Sequence, residues 1–367
     1  MLKKISFSLR NYDWWLFASV IILITIGILI IYSVGMNSDT SDLTRFYKQV
    51  IFALIGLIAL FTVSFIDYRI FNNYAYLLYI FGILLLISVL IFGTTIRGTT
   101  GWFSFGFISF QPVELGKIIL VIMLARFFSI KGYEMDKIVN IIFSALISGS
   151  YVLLVMRQPD LGSALIFMAL WVGFLFLSNI KKSQFLILLL ILAVLATCSW
   201  FLILKDYQKE RILTFINPSR DPLVTGYNVI QSVTAVGSGG LIGRGLGLGP
   251  QSQLNFLPEQ ENDFIFAVIA EELGFIGSGF VIILFFSIFY RIWKLSKIIK
   301  NDFTVYLLYG ILIILCVQTT INIGMNIGIM PVTGLPLPFI SSGGSSLVVN
   351  LILVGIIENV YQKNHLT

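Results

Sequence analysis

The sequence predicts an all-α, polytopic membrane protein with about ten transmembrane helices, and three observations predict it. Of 367 residues, 57% are hydrophobic, whereas only 24 are Lys or Arg and 18 are Asp or Glu, far fewer than the quarter that an ordinary soluble domain carries. The apolar residues come in long runs, and since about 20 residues cross a bilayer, there is room for about ten crossings. The bases lie between the runs and form no continuous basic face, so the formal charge of +6 points to membrane orientation rather than to nucleic acid. A soluble globular enzyme is excluded.

The first run, 14–32, follows Lys3, Lys4 and Arg10. It is too long for a signal-peptide core and has no small-x-small cleavage site, so it reads as an uncleaved first helix. Runs at 47–66, 73–92, 111–128, 138–156, 161–178 and 184–204 give the next six helices, and those at 264–290, 303–329 and 345–361 the last three. The whole chain, 1–367, is one integral membrane domain. With both termini cytoplasmic, the inner segments hold Lys3, Lys4, Arg10, Arg69, Lys131, Lys137, Lys181, Lys182, Arg291, Lys294, Lys297, Lys300 and Lys363. The short outer loops hold little beyond Arg45, Lys48, Arg97 and Arg157, which satisfies the positive-inside rule. Tyr12, Trp14, Trp15, Trp102 and Trp293 suit interfacial anchoring.

This orientation makes 205–262 an extracytoplasmic loop, together with 93–110 and 328–342. A connection as long as 205–262 is uncommon unless functional, and it is too apolar for a solvated tail. It is expected to fold onto the membrane surface with one or two short interfacial helices. Cys198 and Cys316 sit inside apolar runs as small buried hydrophobes, with no disulfide or metal pattern. The single histidine, His365, ends a polar tail, so a His base or zinc ligand is nearly excluded. Carboxylates, hydroxyls and cations must carry the chemistry.

Three carboxylates, Glu259, Glu261 and Asp263, gather in FLPEQENDFIFA where the loop becomes a helix. Asn262 or Asp263 at that place could simply be an N-cap, worth about 1 kcal/mol, or Asp263 could be a reactive group at the water boundary; spacing leaves both open. Glu271 and Glu272 follow on the same helix, about 12 Å deeper, where paired acids are costly unless engaged or facing a wet cavity. Glu114 and Lys117 in QPVELGK share one helix face and can neutralise each other, or the lysine can meet an anionic headgroup. Arg157 and Asp160 in RQPD form a turn of the same character. The series GSGGLIGRGLGLG lacks the G-x-G-x-x-G spacing and any GK[ST], which rejects nucleotide binding. Arg244 within it could meet phosphate. In PLPFISSGGSS, Ser341 and Ser342 could cap the next helix or contact a ligand; no His or evident Lys base accompanies them for nucleophilic work.

Taken together, FQPVELGK, RQPDLGSA, GYNVIQSVTAVGSGGLIGRG, FLPEQENDFIFAVIAEELG and GLPLPFISSGGSS resemble, in order and across nearly the whole chain, the RodA/FtsW (SEDS) family of shape, elongation, division and sporulation proteins. The short N-terminal tail and the absence of an added terminal domain resemble the RodA elongation branch. The resemblance implies a ten-helix peptidoglycan glycosyltransferase that polymerises lipid II at the outer face of the bacterial cytoplasmic membrane and works with a class B penicillin-binding protein. It places the family's essential loop aspartate on Asp263 and its acid and base of the fourth helix on Glu114 and Lys117. Two departures stand out: Glu261-Asn262 occupies the place of a common His-Thr, and Gly101 rather than Arg precedes Trp102, leaving Arg97 as the nearest cation.

The chemistry follows without the family name. A lipid pyrophosphate leaves as a stabilised anion, so one base can suffice where glycosidases commonly need two carboxylates. Asp263 is assigned that role, removing the proton of the acceptor hydroxyl that attacks the anomeric carbon, with inversion. Lys117, Arg157, Arg211 and Arg244 are candidates for offsetting pyrophosphate charge, and Glu114, Asp160, Ser341 and Ser342 complete the expected substrate contacts. A divalent cation, Mg or Mn, held partly by substrate phosphate could share that task, although no dedicated metal cage is evident. The alternatives are a precursor flippase or secondary transporter with Glu271, Glu272, Glu114 and Lys117 lining a passage, and a noncatalytic scaffold for wall-synthesis partners.

Overall fold

A computed structural model describes residues 12–36, 43–96, 98–106, 108–202, 204–217 and 225–364. Lys3, Lys4, Arg10, Arg97 and His365, named above, lie outside the described residues. The helices are α1 (Trp14–Met36), α2 (Thr44–Phe65), the short α3 (Arg69–Asn73), α4 (Ala75–Phe92), α5 (Pro112–Lys131), α6 (Ile138–Arg157), α7 (Leu161–Leu177) and α8 (Lys182–Leu202). They continue with α9 (Asp206–Ile216), α10 (Thr225–Ser238), α11 (Pro250–Gln253), α12 (Ile265–Ile298), α13 (Asp302–Asn326) and α14 (Gly344–Asn364).

Eight of these, α1, α2, α4, α6, α8, α12, α13 and α14, are long and apolar enough to cross a membrane. Of the other two runs expected to span, α7 has 17 residues, and α5 carries Glu114, Lys117, Arg126 and Lys131. The chain is therefore a polytopic, mainly helical membrane protein. Its centre is α14, which packs against α2, α5 and α13. Lipid tails supply no hydrophobic force between helices, so close backbone approach must come from small residues. Gly355 of α14 meets this need, since a Cβ there would come within 2.6 Å of the Leu60 carbonyl on α2. At the opposite extreme α8 lies at the periphery, and Cys198 is exposed on it rather than buried as expected.

Segment 93–110 forms a three-stranded antiparallel sheet of β1 (Thr94–Ile96), β2 (Thr99–Phe105) and β3 (Ile108–Phe110), in that order. It sits over the junction of α4 and α5, with Thr94 opposite Trp102 and Phe103 opposite Phe110. Trp102 is half-buried there. Tyr12 is only 4% exposed and belongs to the packing.

The long connection also departs from expectation. Its described residues hold three helices, α9 to α11, and α10 packs against α12 and α13. The glycine segment behind α10 locks into a break in α12 at Gly274, whose backbone is left-handed at φ 68° and ψ −165°. Such a break frees helical N–H and C=O groups that need partners. The segment supplies them: the Glu271 and Glu272 carbonyls accept from Arg244 N and Gly245 N, while Phe275 N and Ile276 N donate to the Gly240 and Leu241 carbonyls, all at 2.9–3.1 Å. The glycine segment of the connection is thus built into the break in α12.

Candidate functional site

The Asp263 turn is made by the backbone before any side chain acts. Glu259 adopts a left-handed φ of 50°, and its carbonyl accepts from Asn262 N, Asp263 N and Phe264 N at 3.0–3.4 Å. Asn262 donates its side chain to the Glu259 carboxylate at 2.6 Å. Regular helix begins only at Ile265, with Phe264 in the N-cap position. The N-cap alternative for Asn262 or Asp263 is therefore not what the structure has.

Three elements grip this turn. From the segment before α14, the Ser341 hydroxyl donates to the Asn262 carbonyl at 2.6 Å and Ser342 N donates to the Glu261 carbonyl at 2.8 Å. From α2, Arg45 pairs with the Glu261 carboxylate at 2.7 Å, and Gln49 donates to the Ser341 carbonyl at 3.1 Å. From α13, Asn322 and Asn326 both donate to the Asp263 carbonyl at 3.0 Å. Asn322 also holds the Leu335 carbonyl at 2.8 Å, and Gln318 holds that of Pro336 at 3.1 Å. Gln318, Asn322 and Asn326 form one polar stripe at i, i+4 and i+8. The stripe fixes both the turn and the segment facing it, where a Cβ on Gly334 would lie 3.6 Å from Asp263 Oδ2. The sequence reading did not pick out this stripe, although three fully buried amides on an apolar helix are the signal that marks it.

The start of α5 joins the same end of the bundle through α14. Ser345 accepts from Gln111 N and donates to the Ser109 carbonyl, each at 3.2 Å, and the Gln111 side chain reaches Asp160 at 3.4 Å. Asp160 is the N-cap of α7, accepting from Ser163 N at 2.9 Å and the Ser163 hydroxyl at 2.7 Å. Glu114 and Lys117, 2% and 1% exposed, pair with each other at 2.8 Å. The second Glu114 carboxylate oxygen, Oε2, is buried without a hydrogen-bond partner.

The expected residues therefore separate into two groups. Asp263, Ser341 and Ser342 share one set of contacts, and Asp160, Glu114 and Lys117 connect to it through Gln111 and Ser345. Arg157 is exposed at the end of α6. Arg211 is half-buried on α9. Arg244 is exposed and donates to the Ser238 carbonyl at 2.9 Å, with its own N–H on the Glu271 carbonyl. That places its backbone about 12 Å along α12 from Asp263.

Glu271 and Glu272 have fixed partners. The Glu271 carboxylate accepts from Gln251 N at 2.8 Å and Ser252 N at 3.0 Å at the start of α11. That of Glu272 accepts from the Ser33 hydroxyl of α1 at 2.9 Å and from Gln253 at 3.0 Å. Both anchor the connection between α8 and α12 to the bundle. Among the described residues no three His, Cys, Asp or Glu side chains group to hold a metal ion.

This is the helical membrane scaffold, with an acid at a helix mouth, that the motifs led one to expect. The FtsW/RodA/SpoVE cell cycle protein family matches residues 13–366, and the chain belongs to that family. It is 35% identical to the peptidoglycan glycosyltransferase MrdB of Escherichia coli (strain K12), over 91% of this chain and 90% of that one. It is equally identical to stage V sporulation protein E of Bacillus subtilis, over 93% and 94%. Among solved structures it is similar to a chain of a peptidoglycan synthase complex studied for the coordination of polymerization and crosslinking, with TM-score 0.83, 31% identity and coverage of 97% and 99%. It is also similar to the crystal structure of the rod shape determining protein RodA of Thermus thermophilus, with TM-score 0.72, 28% identity and coverage of 96% and 98%.

Proposed function

We propose that this chain is a peptidoglycan glycosyltransferase that polymerises lipid II into glycan strands at the outer face of a bacterial cytoplasmic membrane, serving cell elongation and shape. It crosses that membrane ten times with both termini inside and partners a class B penicillin-binding protein. The single observation that carries the reading is the Asp263 turn, a carboxylate at the mouth of α12 fixed through its backbone by α13 and the segment before α14 and through Glu261 by α2. A reactive group needs this pre-organisation, because misplacement by about 1 Å can cost two orders of magnitude in rate.

In the mechanism Asp263 accepts the proton of the acceptor sugar hydroxyl as its oxygen attacks the anomeric carbon of the donor. The bond from that carbon to the lipid pyrophosphate breaks in the same displacement, so the anomeric configuration inverts. Lys117, Arg157, Arg211 and Arg244 are the cations assigned to the pyrophosphate, as point charge or bidentate donors. A Mg or Mn ion held partly by the substrate's pyrophosphate would offset the leaving-group charge. The orientation is supported by Lys131, Lys137, Lys181, Lys182, Arg291, Lys294, Lys297, Lys300 and Lys363, which gather at the ends of helices opposite Asp263.

The transporter reading leans on Glu271 and Glu272, and Glu271 is engaged by α11 and Glu272 by α1 and α11. Purified protein given fluorescent lipid II in detergent, with and without its transpeptidase, separates the two. Glycan chains forming without any gradient support the transferase. Movement of lipid II across proteoliposomes with no polymer in either assay would replace it with the flippase.

A further inference from the structure

In an α-helix that ran on to Asp263, the Ala267 N–H would donate to the Asp263 carbonyl, four residues back. It does not do so here. The Ala267 N–H donates to Asn326 Oδ1 at 2.9 Å and to the Phe264 carbonyl at 3.0 Å, while Asn326 Nδ2 donates to the Asp263 carbonyl at 3.0 Å. One side-chain amide from α13 has entered the first turn of α12 and taken both halves of a single helical hydrogen bond. Insertion of a side chain into the i→i−4 ladder is a recognised way to open a helix. The amide is fully buried and steadied within its own helix by the Asn322 carbonyl at 2.8 Å.

The consequence is local. Phe264, between the two positions, leaves helical geometry at φ −107° and ψ 21°. Asp263 then belongs to the turn organised by Glu259, and its Oδ2 lies toward Gly334. Without the wedge, nothing in the covalent chain prevents the first turn from closing onto the Asp263 carbonyl, which would rotate the carboxylate about the helix axis.

We propose that Asn326 is a positioning residue for glycosyl transfer: its amide, wedged between Ala267 N–H and Asp263 C=O, holds the first turn of α12 open and keeps the Asp263 carboxylate facing Gly334. This rests on the reading of Asp263 as the base. The role is distinct from that of Asn322, which donates to the same carbonyl but leaves the Ala267 N–H untouched, so it meets only one half of the displaced helical bond.

The test is steady-state lipid II polymerisation by the full chain with its transpeptidase partner, comparing wild type with Asn326→Leu, which keeps the branched heavy-atom skeleton and removes both polar atoms. The expected result is a fall in kcat of about 10- to 100-fold with KM for lipid II within about two-fold and cooperative thermal unfolding retained. Asn326→Ala, read the same way, decides the matter should the leucine variant not fold. Wild-type kcat in a folded variant overturns the proposal, and so does a loss confined to KM. An Asp263→Ala control run in parallel keeps the two readings apart. Full activity in that control removes the base assignment, whereas an inactive control beside a fully active Asn326→Leu removes only the wedge.

Discussion

Arg45 and Glu261 form an ion pair at 2.7 Å that ties the first turn of α2 to the turn carrying Asp263, across 216 residues of sequence. The glutamate side chain is 8% exposed and the arginine 49%, so the two ends are unequal: removing the arginine takes a cation from a nearly buried carboxylate, whereas removing the glutamate leaves a cation that water can reach. Arg45→Ala is expected to lower unfolding stability by about 1–2 kcal/mol, between the limits for exposed and buried pairs. The double variant Arg45→Ala/Glu261→Gln should recover more than half of that in thermal unfolding. Equal destabilisation of single and double variants would show that the pair does not hold the turn.

Glu114 and Lys117 are closed off from water on α5 and pair with each other. Loss of either alone leaves an uncompensated charge, at a cost of about 3–5 kcal/mol. Lys117→Met should therefore reduce folded yield sharply, and Glu114→Leu/Lys117→Met should restore it. If the pair serves substrate as well as packing, the folded double variant stays inactive in lipid II polymerisation. Activity in that variant would assign the pair to packing alone.

The lock between the glycine segment and α12 predicts a contrast between two glycines. Gly243 has φ 84°, and a Cβ on it would come within 2.1 Å of the Glu272 carbonyl, whereas Gly240, at φ 55°, has open space around it. Gly240→Ala should cost only the left-handed penalty of about 1–2 kcal/mol. Gly243→Ala must push backbone from backbone, and limited proteolysis of the connection between α10 and α12 should accelerate in it far more than in Gly240→Ala. Similar cleavage rates in the two variants would contradict the interlock.

At the far end of the bundle Asp13 caps α1 through Leu16 N at 3.2 Å and receives Arg291 of α12 through two nitrogens at 2.7 and 2.8 Å. Its own N–H donates to Glu358 of α14 at 3.0 Å. Arg291→Ala should lower stability by about 2 kcal/mol, with the arginine's 25% exposure placing it below the fully buried limit. Its kcat should stay at the wild-type value, because these contacts lie a whole helix away from Asp263. A kcat loss without a stability loss would break that separation.

These cases also show what the sequence discloses and why it stops. The ten apolar runs are legible because each is a long local signal, and the helices of 17 or more residues fall on them. Asp263, Glu114 and Lys117 were legible as charges out of place in apolar surroundings. The sheet over 94–110 was passed over, although the alternation in TTGWFSF and the left-handed Gly98 and Gly106 at its turns are strand and hairpin signals. The break at Gly274 was hidden because a lone glycine in a helical pattern is usually tolerated. Its partner segment lies some thirty residues upstream, beyond any periodicity. The Asn326 wedge was hidden for the same reason: an asparagine late in one apolar helix gives no local sign that it enters the first turn of another, 59 residues away.

The most direct test of the account is the rate of glycan-strand formation from fluorescent lipid II by Asp263→Asn, which preserves shape and backbone contacts while removing the base. The account predicts a fall in kcat of at least about 10²-fold, the scale of general-base catalysis, with wild-type unfolding behaviour and retained binding of the transpeptidase. Polymerisation by that variant at the wild-type rate would contradict it.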